Sequence, residues 1–221
     1  VFAVSVSAIP YPDDTRILAT LHVRPAVLDD INPILDLHCE AFADKFGGAF
    51  GTKGMARGVA AMSIAWRRQG IAALRGMLVA EWQGQVIGTT MLRTCEMGQD
   101  QTGTVELAFQ QTLGLWGATR SIFALSLLSH PIGRGEGFIT DVAVLKPFRR
   151  RGVAHALLLA AEQQARVQYK NYLGLYVSSQ NHGAQRLYEQ MNFRRVYVRR
   201  SWMTRLIFGQ RDWVYMRKPL Y

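Results

Sequence analysis

The 221-residue chain has only two cysteines, Cys39 and Cys95, far apart and outside any C-x-x-C pair. That excludes a disulfide framework and a cysteine-built zinc site, and points to a reducing, cytoplasmic setting. No uninterrupted apolar run reaches the ~18–20 residues of a membrane-spanning helix. The apolar stretch Val1–Ile9 lacks a basic front end and soon meets Pro10 and Pro12, unlike a signal peptide. There is no G-x-x-x-x-G-K-S/T loop and no G-x-G-x-x-G after a strand, so neither a Walker site nor a dinucleotide fold is expected. His22, His38, His130, His155 and His182 form no H-x-x-x-H pair. Each is read as a partly exposed or packed polar tip, and no metal site is expected.

Acidic residues are scarce in one half only. Residues 1–145 hold 11 basic and 13 acidic side chains, whereas residues 146–221 hold 15 basic and 3 acidic. Such asymmetry predicts a polyanionic partner for the C-terminal part. Nucleic acid, an acidic membrane surface and a phosphorylated cofactor all satisfy it. Hydrophobic residues make up 49% of the chain and charged residues 19%, so a packed core is expected.

Hydropathy patterning predicts the element order. Leu21–Arg24 alternates as a strand, and Ile31, Ile34, Leu35 and His38 have helical spacing behind Asp29 and Asp30. Gly47, Gly48 and Gly51 break the pattern, and a second helix runs over about Met55–Leu74. Met77–Trp82 and Val86–Leu92 flank Gln83-Gly84-Gln85 as a hairpin. Glu96–Thr104 reads as a polar loop. Leu107–Leu128 is helical, interrupted near Gly114 or Gly117 and stopped by Ser129-His130-Pro131. Then come a strand over Gly137–Val144, a helix from Gly152 to about Tyr169, a strand over Leu173–Ser178 and a helix over His182–Met191. Arg194–Met216 reads as two strands around Gly209. The order predicts a single α/β domain with a mixed sheet and no internal repeat.

The chemistry-bearing unit is strand, basic glycine-containing turn, helix. A helix N-terminus offers unpartnered backbone N–H groups and partial positive charge, which suit a phosphate. Gly152 and Ala154 lack bulk, and Arg149, Arg150 and Arg151 add charge. The strand end Val142-Ala143-Val144 offers main-chain groups to an extended, amide-bearing ligand. Taken alone, such a junction is either an anion site or a solvated corner.

Arg149-Arg150-Arg151-Gly152-Val153-Ala154 resembles the R/Q-x-x-G-x-G/A signature of the GNAT family of N-acetyltransferases. Asn181 through Ala184 and Tyr188 to Phe193 resembles that family's N-x-x-A-x-x-x-Y-x-x-x-G-F segment. Asn192 stands where Gly is usual, and Asn tolerates left-handed backbone. The close match covers about residues 137–197. It implies a GNAT-like fold over residues 21–221, with a mixed sheet of about seven strands flanked by helices. Residues 1–20 would be an N-terminal extension, and 107–128 an extra helical insertion before the cofactor strand.

The resemblance also implies roles. Backbone groups of Val142, Ala143 and Val144 should bind the pantetheine arm of acetyl-CoA, and amides around Arg149, Arg150, Arg151, Gly152, Val153, Ala154 and His155 its pyrophosphate. Asn181 should contact the arm, and Tyr188 should lie near the sulfur. The implied reaction is direct attack of a primary amine on the thioester, with Tyr188 as general acid. Tyr188 is also what an amphipathic helix puts in a core. Peptide-modifying relatives have Glu five residues before the Asn, where this chain has Tyr176. Asp141 and Glu136 are the remaining base candidates, Asp141 being equally a loop-end hydrogen bonder, and a water chain is a further option. The acceptor is expected among small molecules, peptides and protein N-termini, and a homodimer is compatible with the reading. Two other functions compete: a non-catalytic acyl-CoA-binding sensor or partner module, and a nucleic-acid binder. Trp202, Phe208, Trp213 and Tyr215 interleave with Arg200, Arg205 and Arg211, but amphipathic terminal strands explain that pattern without RNA.

Overall fold

The computed structural model describes residues 17–18, 20–51, 54–97, 102–127 and 129–221. Strands β1 (His22–Pro25), β2 (Met77–Trp82), β3 (Gln85–Arg93), β4 (Glu136–Val144), β5 (Tyr172–Ser178), β6 (Arg194–Arg200) and β7 (Asp212–Pro219) form one sheet. Their order is β1-β2-β3-β4-β5-β7-β6. Only β4 and β5 are parallel neighbours; the rest pair antiparallel. The helices are α1 (Ile31–Ala41), α2 (Ala43–Phe50), α3 (Met55–Gln69), α4 (Thr102–Ser126), α5 (Val153–Val167), α6 (His182–Gln190) and α7 (Trp202–Phe208).

A parallel pair needs a crossover, and α5 supplies it between β4 and β5. Val153, Leu157, Leu158, Ala161 and Ala165 fall on one stripe of α5 and are buried against Leu78, Ile87, Ile139, Leu173 and Met216 of the sheet. Fully buried Leu157 alone contributes about 1.5–3 kcal/mol. The opposite face, over β2 and β3, is covered by α1 through Ile31, Ile34, Leu35 and Leu37, with Val59, Met62 and Trp66 of α3 packed alongside. A third core is helical: Phe46 and Phe50 of α2, Ala61 of α3, Phe109 and Ala118 of α4, and Phe208 of α7.

The order of elements follows the sequence closely, with three differences. Residues 202–208 form α7, not a strand. Ser201 accepts a bond from Thr204 N at 3.2 Å, and Gly209 closes the helix at φ 69°. Residues 43–50 are helical through Gly47 and Gly48, and the stop comes only at Gly51, φ 75°. The two differences share one cause. A Cβ on Gly48 would collide with the Ile207 carbonyl, so this glycine lets α7 lie directly on α2. Third, α4 begins at Thr102, inside the expected loop; its interruption at Gly114, φ 74° and ψ 170°, is where the sequence placed one. Leu128 and residues 1–16 lie outside the described residues. Ile17, within the expected extension, is fully buried in the α5 core, and Thr20 accepts from Trp82 Nε1 at 3.1 Å.

Candidate functional site

The sheet opens in its middle. β4 and β5 pair from Glu136↔Tyr172 to Ile139↔Leu175 and no further, while β5 continues on its other side with β7 to Ser178↔Trp213. The cause is a bulge in β4. Thr140 and Ala143, three residues apart, face Met91 and Thr89, two apart, and Asp141 takes φ 55°. Asp is one of the few residues that tolerate this geometry. Residues 140–144 and 176–178 therefore line a split whose main-chain groups are not joined to each other. Such groups can receive an extended, amide-bearing ligand as added strand.

Beyond the split the chain turns at Lys146–Phe148 and enters α5. Arg150 and Gly152 both have positive φ, 65° and 78°. The first bond into the helix is Ala156 N to Gly152 O at 3.0 Å, and no side chain caps it. The amides of Val153, Ala154 and His155 thus precede the first intrahelical bond, where an anion is favoured. At Gly152 the space a Cβ would take is filled by Leu18, 3.1 Å away. Arg149 has partners within the protein. Its Nε donates to Val144 O at 2.9 Å and its guanidinium pairs with Glu40 at 3.3 Å, so this side chain and the Val144 carbonyl brace the turn. Arg150 and His155 are exposed beside the helix end, and Arg151 is half-buried.

Asn181 caps α6, its Oδ1 accepting from Ala184 N at 3.0 Å. About two helical turns further on, Tyr188 is buried beside Phe193, ring centres 5.9 Å apart. Loss of solvent pushes its phenol up to about 12, so it stays protonated through the neutral range. Asn192 does adopt left-handed backbone, φ 67°.

The base candidates separate sharply. Glu136 is buried, and its carboxylate accepts from Tyr215 OH at 2.7 Å, contacts His130 Nε2 at 3.1 Å and takes Gly133 N at 3.3 Å. It sits at the closed end of the β4–β5 pairing, four residues before the split opens, about 13 Å along the strand. Tyr176 shares a 2.7 Å bond with Tyr197 OH, and burial with that bond pushes its phenol well above the usual range. Asp141, at the bulge, is close enough for its charge to act on two groups that sequence reasoning did not bring to the site, His38 of α1 and Lys45 of α2. Among the described residues no cluster of three or more His, Cys, Asp or Glu side chains is placed to hold a metal ion.

A sequence model of the acetyltransferase (GNAT) family matches residues 39–193, well over half of the chain. The chain belongs to the GNAT family. An uncharacterized N-acetyltransferase of Bacillus subtilis, YycN, is 38% identical over 69 residues, 31% of this chain; the chain spans 43% of that relative's length. A solved acetyltransferase is 22% identical with a TM-score of 0.63, covering 90% of this chain and all of the other. The PaiA N-acetyltransferase of Thermoplasma acidophilum, solved with coenzyme A, superposes at TM-score 0.56 with 13% identity, over 90% of this chain and 98% of that one. These two likenesses are of fold.

The split, the open end of α5 and Tyr188 lie on successive elements of the chain, β4, α5, β5 and α6. A cavity of about 640 Å³ lies elsewhere, between β1, the β2 edge and the C-terminal half of α5, lined by Val23, Arg75, Met97, Gln164 and Gln168. It touches none of the motif residues. Among the described residues no helix is long and apolar enough to cross a membrane.

Proposed function

We propose that this GNAT protein transfers the acetyl group of acetyl-CoA to a primary amine of a small molecule, peptide or protein N-terminus. The observation that carries the reading is the split between β4 and β5 leading straight to the uncapped N-terminus of α5. The residues suit the donor. An extended arm with two amides fits a cleft edged by unpaired strand, and a pyrophosphate fits the amides of Val153, Ala154 and His155 with Arg150 alongside. Bound there, acetyl-CoA would supply an activated carbonyl and a thiolate leaving group.

The chain's own residues supply position and protons. Main chain of Val142 and Ala143 would orient the arm, and Asn181, its Oδ1 held by the helix cap, would keep the start of α6 against it. As the amine nitrogen bonds to the carbonyl carbon, the carbon–sulfur bond breaks. Tyr188 is our choice to protonate the departing sulfur, because a buried phenol at about 12 is still protonated when the thiolate leaves; the new amide nitrogen then sheds its extra proton, which restores the phenol. Asp141 lies on the bulge where the split opens.

Tyr176 in place of a strand carboxylate favours a second reading, a non-catalytic acyl-CoA-binding module. One experiment separates them: thermal shift with acetyl-CoA, then thiol release with a panel of amines. Stabilisation of about 2–3 kcal/mol at ~100 times the Kd is expected under both readings. Thiol release dependent on an amine is expected only for the enzyme. No thermal shift at all would sink both.

A further inference from the structure

We infer that His38, together with Asp141 and Thr140, forms the subsite that holds the acceptor's amino group, and that His38 Nε2 takes its proton. The inference rests on the acetyl-transfer reading above.

His38 lies in the last turn of α1 and is 4% exposed. Its ring packs against Phe42 at 5.4 Å and edge-on to Trp66 at 6.4 Å, which fixes its plane. Nε2 is buried and, among the described residues, has no hydrogen-bond partner; the same holds for Thr140 Oγ1. A buried polar atom without a partner loses its hydration with no bond in return, so each of these two calls for a ligand with polar hydrogens. Thr140 is the first residue past the end of the β4–β5 pairing, and Asp141 follows it on the bulge. Thr140 Oγ1 is thus at the mouth of the split, and the end of α1 lies over the same end of β4: Ala143 packs in the α1 core, and Glu40, two residues after His38, accepts from Lys146 N at 2.8 Å. A primary ammonium carries three donors, enough for an imidazole nitrogen, a hydroxyl oxygen and a carboxylate.

Burial pulls His38 below its ordinary value, and Lys45 adds to that, while the Asp141 carboxylate opposes it. His38 is thus neutral at pH 7 with a nitrogen ready to accept, and Asp141 steadies the imidazolium once formed. The charged groups that face it are Asp141 from β4 and Lys45 from α2; Lys45, over the Phe42 ring at 4.2 Å, is itself pulled down by burial. The ammonium gives one proton to Nε2, which passes it to solvent, leaving the amine lone pair free to attack. Glu136, engaged by His130 and Tyr215, is not required.

The test uses the whole protein, acetyl-CoA and an amine that supports thiol release. His38→Ala should lower kcat at least ~100-fold, leave acetyl-CoA stabilisation within about twofold of wild type in apparent Kd, and recover activity with added imidazole. Asp141→Asn keeps the positive φ, which Asn accepts, so it guards against a folding failure at position 38. Removing the carboxylate makes the imidazolium harder to form. The acidic limb of kcat/KM should therefore move to lower pH. Thr140→Val should raise the acceptor KM with little change in kcat. A His38→Ala protein with wild-type kcat, or an acidic limb unmoved in Asp141→Asn, overturns the inference while acetyl transfer stands. A wild-type protein that ignores acetyl-CoA overturns both.

Discussion

Tyr188 shows how one side chain serves core and chemistry together. Its ring is part of the cluster with Val177, Leu175 and Phe193, and the same burial that packs it raises its phenol to about 12. A general acid acts only while protonated, so a limb due to Tyr188 lies near pH 12, and kcat should not fall on its account between about pH 7 and pH 10. Tyr188→Phe keeps the ring and removes the donor. Turnover should drop ~10–100-fold with acetyl-CoA affinity unchanged, read by steady-state kinetics beside a binding titration. An unaltered kcat would remove Tyr188 from the chemistry. Gly152 is the complementary case, a residue whose value is its backbone. At φ 78°, with Leu18 against it, Gly152→Leu should cost about 1–3 kcal/mol of local strain and weaken acetyl-CoA at least tenfold.

At the scale of elements, what was legible in the sequence is what backbone geometry forces. The hairpin of β2 and β3 follows from Gly84 at φ 76°, and α5 and α6 follow from Gly152 and Asn181 at their starts. The turn at residues 149–154 and the segment 181–193 could be recognised because both depend on local chemistry. The misjudged elements depend on distant partners. Gly47 and Gly48 look like a break until α7 is laid on α2, and α7 looks like a strand until Ser201 and Gly209 are seen capping it. Likewise, nothing local joins His38 to Asp141; α1 reaches that end of β4 through its packing on the sheet. Gly48→Ala tests this coupling of α2 and α7. The added methyl meets the Ile207 carbonyl, and overpacking should cost about 1–3 kcal/mol. Tm should fall by roughly 2–4 °C for each kcal/mol lost, measured by calorimetry. A Tm equal to wild type would mean that the two helices are not held to one geometry.

Over the whole molecule the basic excess of residues 146–221 has several destinations, and this is why charge alone could not name a partner. Arg149 braces the turn to Glu40, Arg166 and Lys218 share Glu162, Lys170 meets Glu96, and Arg195 meets Glu189. A further group sits on β6, the sheet's edge, where Arg194, Arg195, Arg199 and Arg200 surround the exposed Val196, Tyr197 and Val198. An edge strand carrying apolar residues offers unpaired main-chain groups to a second copy, and like charges placed along it oppose that pairing. The arginines of β6 therefore act, on this argument, chiefly to keep the edge single. Replacing Arg194, Arg199 and Arg200 with Thr, a good strand former without charge, should promote self-association that grows with protein concentration and is followed by sedimentation velocity. Wild-type protein should show the same tendency, more weakly, as salt is raised and the repulsion is screened within about 8–10 Å. If the triple variant remains as dispersed as wild type across concentration and salt, the arginines serve some purpose other than guarding the edge. Retention of RNA by wild type but not by the variant, lost steeply with salt, would then give that purpose a partner.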